Sequence, residues 1–307
     1  KEQIIKKSGL LEYFHPKEYL TSVGGLDNLK EWIHKRGQAY SDDARAFGLN
    51  IPRGVLLLGI PGCGKSLTAK AIANEWKFPL LRFDLGKVFG GIVGESERNI
   101  RYALDVAKTI SPCVLWIDEI EKGLSGSQSS GRTDGGTSAR VFGTFLTWMQ
   151  EKKEPVFVVA TANDISSLPP ELLRKGRFDE IFFVDLPSAK ERENIFNIHL
   201  SNKKRDAKKL GLNMAELVKK TEGFSGAEIE EVVNEALFNA YAAGQSDLQQ
   251  ENLLECISAT SPLSRTMAET IANLRKWAEQ RARMASKEKP EEVQELGEEV
   301  PKLPQEY

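Results

Sequence analysis

The chain has 307 residues, enough for one large domain or two smaller ones that each bury a core, and we expect two. Its 42 basic and 44 acidic residues nearly cancel to a formal net charge of -2, which gives no global electrostatic case for nucleic acid or an anionic membrane as partner. Cys63, Cys113 and Cys256 lack C-x-x-C spacing and His15, His34 and His199 stand apart, so neither a disulfide framework nor a zinc site is indicated; no apolar run approaches the ~18 residues that cross a bilayer.

Residues 1–52 read as an N-terminal linker leading into the first core segment, and because the chain starts at Lys1 rather than Met we expect a piece of a longer protein. From 53 to 187 short apolar runs alternate with helical stretches: Val55 to Leu58, Leu80 to Phe83, Val114 to Ile117, Val156 to Ala160 and Ile181 to Val184. Uninterrupted runs of this length suit strands covered on both faces, which predicts a doubly wound α/β domain with a mainly parallel sheet. Between the first run and the helical stretch Leu67 to Trp76 lies Gly59-Ile60-Pro61-Gly62-Cys63-Gly64-Lys65-Ser66, a G-x-x-x-x-G-K-[ST] loop in the strand–loop–helix setting its mechanism needs. Its glycines let backbone N–H groups and a helix N-terminus face a phosphate; Lys65 reaches the β- and γ-phosphates and Ser66 offers a hydroxyl to Mg²⁺. Cys63 sits near that helix N-terminus, a setting that favours thiolate, although packing as a small residue is the simpler reading.

The third run ends in Asp118-Glu119, at the sheet edge where the phosphate loop also lies. Asp118 is expected to hold Mg²⁺ through its water shell, and Glu119 to orient and deprotonate an attacking water. The stretch Ser125 to Thr137, rich in Ser, Gly and Thr, reads as a loop at the same edge. The fourth run ends in Thr161-Ala162-Asn163, where an amide could hold that water or the γ-phosphate; alone, Asn163 would read as a turn residue.

Beyond Pro187 the apolar spacing turns helical over Ala189 to Leu200, Met214 to Thr221, Ala227 to Ala243, Asp247 to Ala259 and Arg265 to Ala285. This predicts a small all-helical domain over 188–285 with no strand in it, in which Ser225 and Glu228 form a capping box. Residues 286–307, rich in Glu, Pro and Lys, have little to bury and read as a disordered tail.

Leu173-Arg174-Lys175-Gly176-Arg177-Phe178-Asp179 completes a series that resembles the AAA subfamily of AAA+ ATPases. Its other members here are Val23-Gly24-Gly25-Leu26, the phosphate loop, Gly94-Glu95-Ser96-Glu97, Asp118-Glu119, Thr161-Ala162-Asn163 and Gly223-Phe224-Ser225-Gly226-Ala227. Phrases such as Arg140-Val141-Phe142-Gly143-Thr144-Phe145 narrow the resemblance to the single-module hypothetical chloroplast frame ATPases of cyanobacteria and plastids. The resemblance implies a P-loop NTPase domain followed by a helical lid. Val23, Gly24, Gly62, Cys63, Gly64, Leu67, Gly226 and Ala227 would surround ATP, and Asn163 would join Glu119 in hydrolysis. It further implies a homo-oligomeric ring, usually of six, in which Arg174 and Arg177 reach the neighbour's nucleotide. The expected location is cytoplasmic, or the stroma for a plastid-encoded protein. Where threading relatives place an aromatic and an aliphatic residue in the central pore, this chain has Ile92-Val93. The leading expectation is a Mg²⁺-dependent ATPase that remodels an unidentified protein partner. The alternative is a nucleotide-dependent assembly switch that threads nothing.

Overall fold

A computed structural model of the chain describes residues 5, 9–89, 95–123, 135–174 and 176–290. At its centre is a seven-stranded sheet in the order β1-β3-β4-β5-β2-β6-β7. The five apolar runs form β2 (Gly54–Gly59), β3 (Leu80–Phe83), β4 (Cys113–Ile117), β5 (Val156–Ala162) and β6 (Glu180–Val184), all mutually parallel. Every residue of β2, β4 and β5 is buried, as continuous apolar strands between two helical layers should be. Alternate residues serve opposite cores: Leu56, Leu58, Leu115, Ile117 and Val158 pack on one face, and Val55, Leu57, Val114, Trp116 and Phe157 on the other.

Two strands escape the apolar-run criterion. β1 (Leu11–Phe14) pairs antiparallel with β3, so the expected linker over 1–52 contributes an edge strand. β7 (Arg283–Met284) extends the other edge beside β6. Between the edges run the helices α1 (Asp27–Gly37), α2 (Asp42–Ala46), α3 (Lys65–Glu75), α4 (Leu85–Phe89), α5 (Glu95–Ile110) and α6 (Gly135–Glu151). The position of Ile92-Val93, most of Ser125 to Thr137, Lys175 and the tail beyond Pro290 lie outside the described residues.

The helical unit is made by α7 (Ala189–Asn202), α8 (Met214–Lys220), α9 (Gly226–Ala242) and α10 (Gln250–Ala259), around a core of its own that includes Phe196, Leu217, Ile229, Val233 and Leu253. Expected as one all-helical domain over 188–285, this region divides by its packing. After α11 (Leu263–Thr266) the chain returns to the sheet: on α12 (Ala268–Arg281), Ile271 packs on Ile60 and Leu186 while Leu274 and Ala278 join one sheet core, and Ala285, just past β7, joins the other. Helical periodicity shows that α12 has an apolar face; it carries no information on which element that face will cover.

Candidate functional site

The phosphate loop leaves β2 at Gly59 and enters α3 at Lys65. Gly62 has φ +75°, and a Cβ there would lie 3.0 Å from both the Ala227 Cβ and the Ser225 Oγ, so any larger residue would be strained at this turn. Lys65 is buried and its Nζ donates to the Gly59 and Ile60 carbonyls at 2.8 and 2.7 Å. Burial lowers its pKa to about 8, against the opposing fields of the Glu121, Asp118 and Glu119 carboxylates. The neighbouring Ser66 Oγ donates to Asp118 Oδ1 at 2.7 Å, joining the first turn of α3 to the end of β4.

Glu119 follows in a left-handed backbone conformation, φ +49°. Its Oε1 accepts from Asn163 Nδ2 at 3.0 Å and its Oε2 lies 2.6 Å from Lys122 Nζ. Asp118, Glu119 and Asn163 therefore stand together at the C-terminal ends of β4 and β5, beside the start of α3, where a ligand in an open α/β sheet is bound. Glu121, just beyond them, is buried, and that burial raises its carboxyl pKa. Thr161 links the same strand ends by hydrogen bonds to Asp118 and Glu119.

Val23, Gly24, Gly62, Cys63, Gly64, Leu67, Gly226 and Ala227 all line one cavity of about 220 Å³ between the sheet and the helical unit. Its mouth is framed by the N-terminus of α9. The Ser225 capping box forms as the sequence predicts, with Glu228 at the third position, and the Ala227 amide donates to the Gly62 carbonyl at 2.9 Å. Residues that the sequence alone did not mark share the wall, among them Asp185, Glu191, Ile195, His199 and Glu230. Glu191 accepts the amides of Leu26 and Ser188, each at 3.0 Å, and so fastens the Val23–Leu26 segment to α7. His199 Nδ1 lies 3.8 Å from Glu230, and burial lowers its pKa. Each of these residues is more than 150 positions from Val23, so no local spacing could announce them.

For Cys63 the simpler reading, packing as a small residue, agrees with its surroundings, which do not favour a thiolate. Burial pushes its thiol up to about 12, outweighing the nearby Lys65 ammonium. Among the described residues no group of three or more His, Cys, Asp and Glu side chains is arranged to hold a metal. Nor, among those residues, is any helix long and apolar enough to cross a membrane.

The structure does not bring Arg174 and Arg177 to Lys65. Asp179, two residues past Arg177, accepts the amides of Arg53 and Gly54 at the start of β2, and the phosphate loop lies past that strand's other end. The two regions are therefore about 20 Å apart, one strand length. Arg174 is exposed and lines a separate, larger cleft of about 1240 Å³ with Arg53, Lys153, Trp277 and Arg281. Arg177 is half-buried, and its Nη1 is buried with no hydrogen-bond partner.

A mainly parallel sheet with a phosphate loop at its carboxyl edge, paired acids beside it and a helical cap defines a P-loop NTPase fold with a lid. The chain belongs to the AAA family of ATPases: residues 55–186 match the family described as ATPase family associated with various cellular activities, and residues 211–255 match the AAA+ lid domain. It is 51% identical over 288 residues to the AAA domain-containing protein ycf46 of Pyropia yezoensis, covering 93% of this chain and 58% of that relative. The protein of the same name from Guillardia theta is 50% identical over 279 residues, 91% of this chain and 54% of the relative. A cell division cycle protein 48 homolog of Archaeoglobus fulgidus is 36% identical over 219 residues, 70% of this chain and 29% of the relative. The chain thus spans a little over half the length of the ycf46 relatives it matches.

Proposed function

We propose that the protein is a Mg²⁺-dependent ATPase that works as a homo-oligomeric ring, expected to be hexameric, and remodels a protein partner. The observation that carries the hydrolytic part is the Ser66–Asp118–Glu119–Asn163 cluster beside Lys65. Val23, Gly24, Leu67, Gly226 and Ala227 take the base and sugar, and the amides of Gly62, Cys63 and Gly64 face the phosphates. Lys65 exchanges its two backbone carbonyls for phosphate oxygens.

The donor set suits a hard cation, because Ser66 and Asp118 offer only oxygens and leave the remaining positions to water and phosphate. Bound there, Mg²⁺ would neutralise charge on the phosphate oxygens. Glu119 takes the proton of the attacking water while Asn163, bonded to the same carboxylate, fixes its direction. The strand-length separation of Arg174 and Arg177 from Lys65 supports their service to a neighbouring copy rather than to their own site. In related NTPases such arginines contribute about 10³ to 10⁵ in rate.

Glu119→Gln should bind ATP and lose at least about 10²-fold in turnover, and Arg174→Ala should lose turnover without losing nucleotide affinity. Wild-type turnover in Arg174→Ala would exclude the shared site. The absence of an aromatic at Ile92-Val93 supports a second reading, an assembly switch that threads nothing. Turnover that accelerates with an added unfolded polypeptide separates remodelling from the switch, which has no reason to respond.

A further inference from the structure

The ends of β4 and β5 are joined by hydrogen bonds that the reaction as described leaves unexplained. Thr161 stands at their centre, 1% exposed and the penultimate residue of a strand that is otherwise apolar. Its Oγ1 accepts the amide of Glu119 at 2.9 Å and donates to Asp118 Oδ1 at 2.7 Å, so the single hydroxyl proton and an acceptor lone pair are both committed. Its carbonyl accepts the amide of Ile120 at 3.0 Å. Two residues on, the Asn163 amide donates to Glu121 Oε1 at 2.9 Å, while Asn163 Nδ2 reaches Glu119 Oε1. Glu121 is 7% exposed, and its Oε2 is buried without a partner.

These bonds surround a strained residue. Glu119, at φ +49°, occupies the left-handed region that residues with a Cβ avoid, and such a conformation persists only where its surroundings over-determine it. The bonds to Thr161 supply that determination on both sides: the amide of Glu119 is held by the hydroxyl, and the next amide by the carbonyl of the same residue. A buried strand position of this kind is filled well by valine, so a hydroxyl here has a purpose other than packing. Glu121 performs the matching task for the other partner. By anchoring the Asn163 backbone it sets the height at which the amide side chain meets Glu119.

We infer that Thr161 and Glu121 are positioning residues for hydrolysis, forming a latch that holds the Glu119 carboxylate and the Asn163 amide in register with each other and with Asp118. The inference rests on the reading of Glu119 as the base that activates water. It adds that the base is aimed from β5 as much as from β4, the strand that carries it. Neither residue is among those that line the cavity of Val23, Gly62 and Ala227. The latch therefore acts on turnover and not on affinity.

The test compares Thr161→Val, Thr161→Ser, Glu121→Gln and Glu121→Leu with the full chain in steady-state ATP hydrolysis, in binding of a fluorescent ATP analogue and in thermal melting. Thr161→Val keeps the branched shape and removes both hydroxyl bonds. It should lower kcat by at least about tenfold, because a displacement on the order of 1 Å at the reacting centre can cost about 10²-fold, while analogue affinity stays within about threefold of wild type. Thr161→Ser retains the hydroxyl and should recover most of the lost kcat. Glu121→Gln keeps an acceptor for the Asn163 amide and should turn over near the wild-type rate, whereas Glu121→Leu should resemble Thr161→Val. A purely structural role would instead lower kcat, affinity and melting temperature together, with no rescue by serine. If Glu119→Gln abolishes turnover while Thr161→Val hydrolyses ATP at the wild-type kcat, the latch is overturned and the base survives. If Glu119→Gln itself turns over normally, the reading beneath the latch fails first.

Discussion

Arg275 grips the carboxylate of Asp185 with two nitrogens, Nε at 2.9 Å from Oδ2 and Nη2 at 2.9 Å from Oδ1, and thereby ties α12 to the end of β6. The carboxylate is 6% exposed and also lines the cavity beside the phosphate loop. A bidentate guanidinium satisfies a planar carboxylate in a way that a lysine cannot. Arg275→Ala would leave a buried charge without its partner, and we expect a loss of about 3 kcal/mol in urea unfolding. Arg275→Lys should fall between it and wild type. Equal midpoints for all three proteins would show that α12 is held by its apolar face alone.

Gly25 gives a separate handle on the cavity. Its φ is +68°, and a Cβ would lie 1.9 Å from Glu191 Oε1, the oxygen that receives the Leu26 amide. Gly25→Ala must therefore displace Glu191 or the Val23–Leu26 segment. We expect a cost of more than about 1 kcal/mol, from a backbone that alanine tolerates poorly combined with this clash. A fluorescent ATP analogue should bind more weakly than to wild type. Unchanged affinity would mean that the segment fastened by Glu191 does not shape the site.

The strands legible in the sequence are those whose chemistry is local. Val55 to Leu58 and Val156 to Ala160 announce themselves because a strand covered on both faces needs an unbroken apolar run. Leu11–Phe14 lies at an edge and carries Glu12 to solvent, while Arg283–Met284 is too short to show any pattern. The site divides along the same line. Gly59 to Ser66 and Asp118-Glu119 could be read because their chemistry depends on adjacent residues, and the Ser225–Glu228 box because it spans one helical turn. Asp185, Glu191 and His199 reach the cavity through the tertiary fold, and nothing in their neighbours marks them. Thr161 did leave a signal, a hydroxyl closing an otherwise apolar run, but its bonds to Asp118 and Glu119 cross 43 and 42 positions.

Cys63 offers a chemical check on the phosphate loop. With its thiol raised from 9.0 to about 12 by burial, its thiolate fraction at pH 8 should be about 10³ lower than that of an ordinary cysteine. Iodoacetamide should therefore alkylate Cys63 far more slowly in the native protein than in urea, as read by peptide mass spectrometry. Equal rates in the two conditions would restore the electropositive, reactive thiol that its place near a helix N-terminus suggests.

Lys152, which does not line the cavity beside the phosphate loop, gives stability a dependence on pH. It follows α6, donates from Nζ to the Val156 carbonyl, and stands 5.8 Å from the centre of the Trp148 ring. Burial lowers its pKa from 10.5 to about 8; Asp179 opposes that shift, while Arg53 reinforces it. Below pH 8 the lysine is charged in both folded and unfolded chains, and the folded chain bears the whole cost of burying the ammonium. Between about 8 and 10.5 the unfolded chain keeps a proton that the folded one has released, so stability rises with pH through this window. Lys152→Met removes that titration while keeping most of the apolar stem. In urea titrations at fixed temperature, wild type should gain stability relative to Lys152→Met on going from pH 8 to pH 10.5. Below pH 8 the difference between the two proteins should stay constant. Parallel stability curves across the whole range would show that Lys152 keeps its ordinary pKa, with its ammonium hydrated rather than buried against Val156.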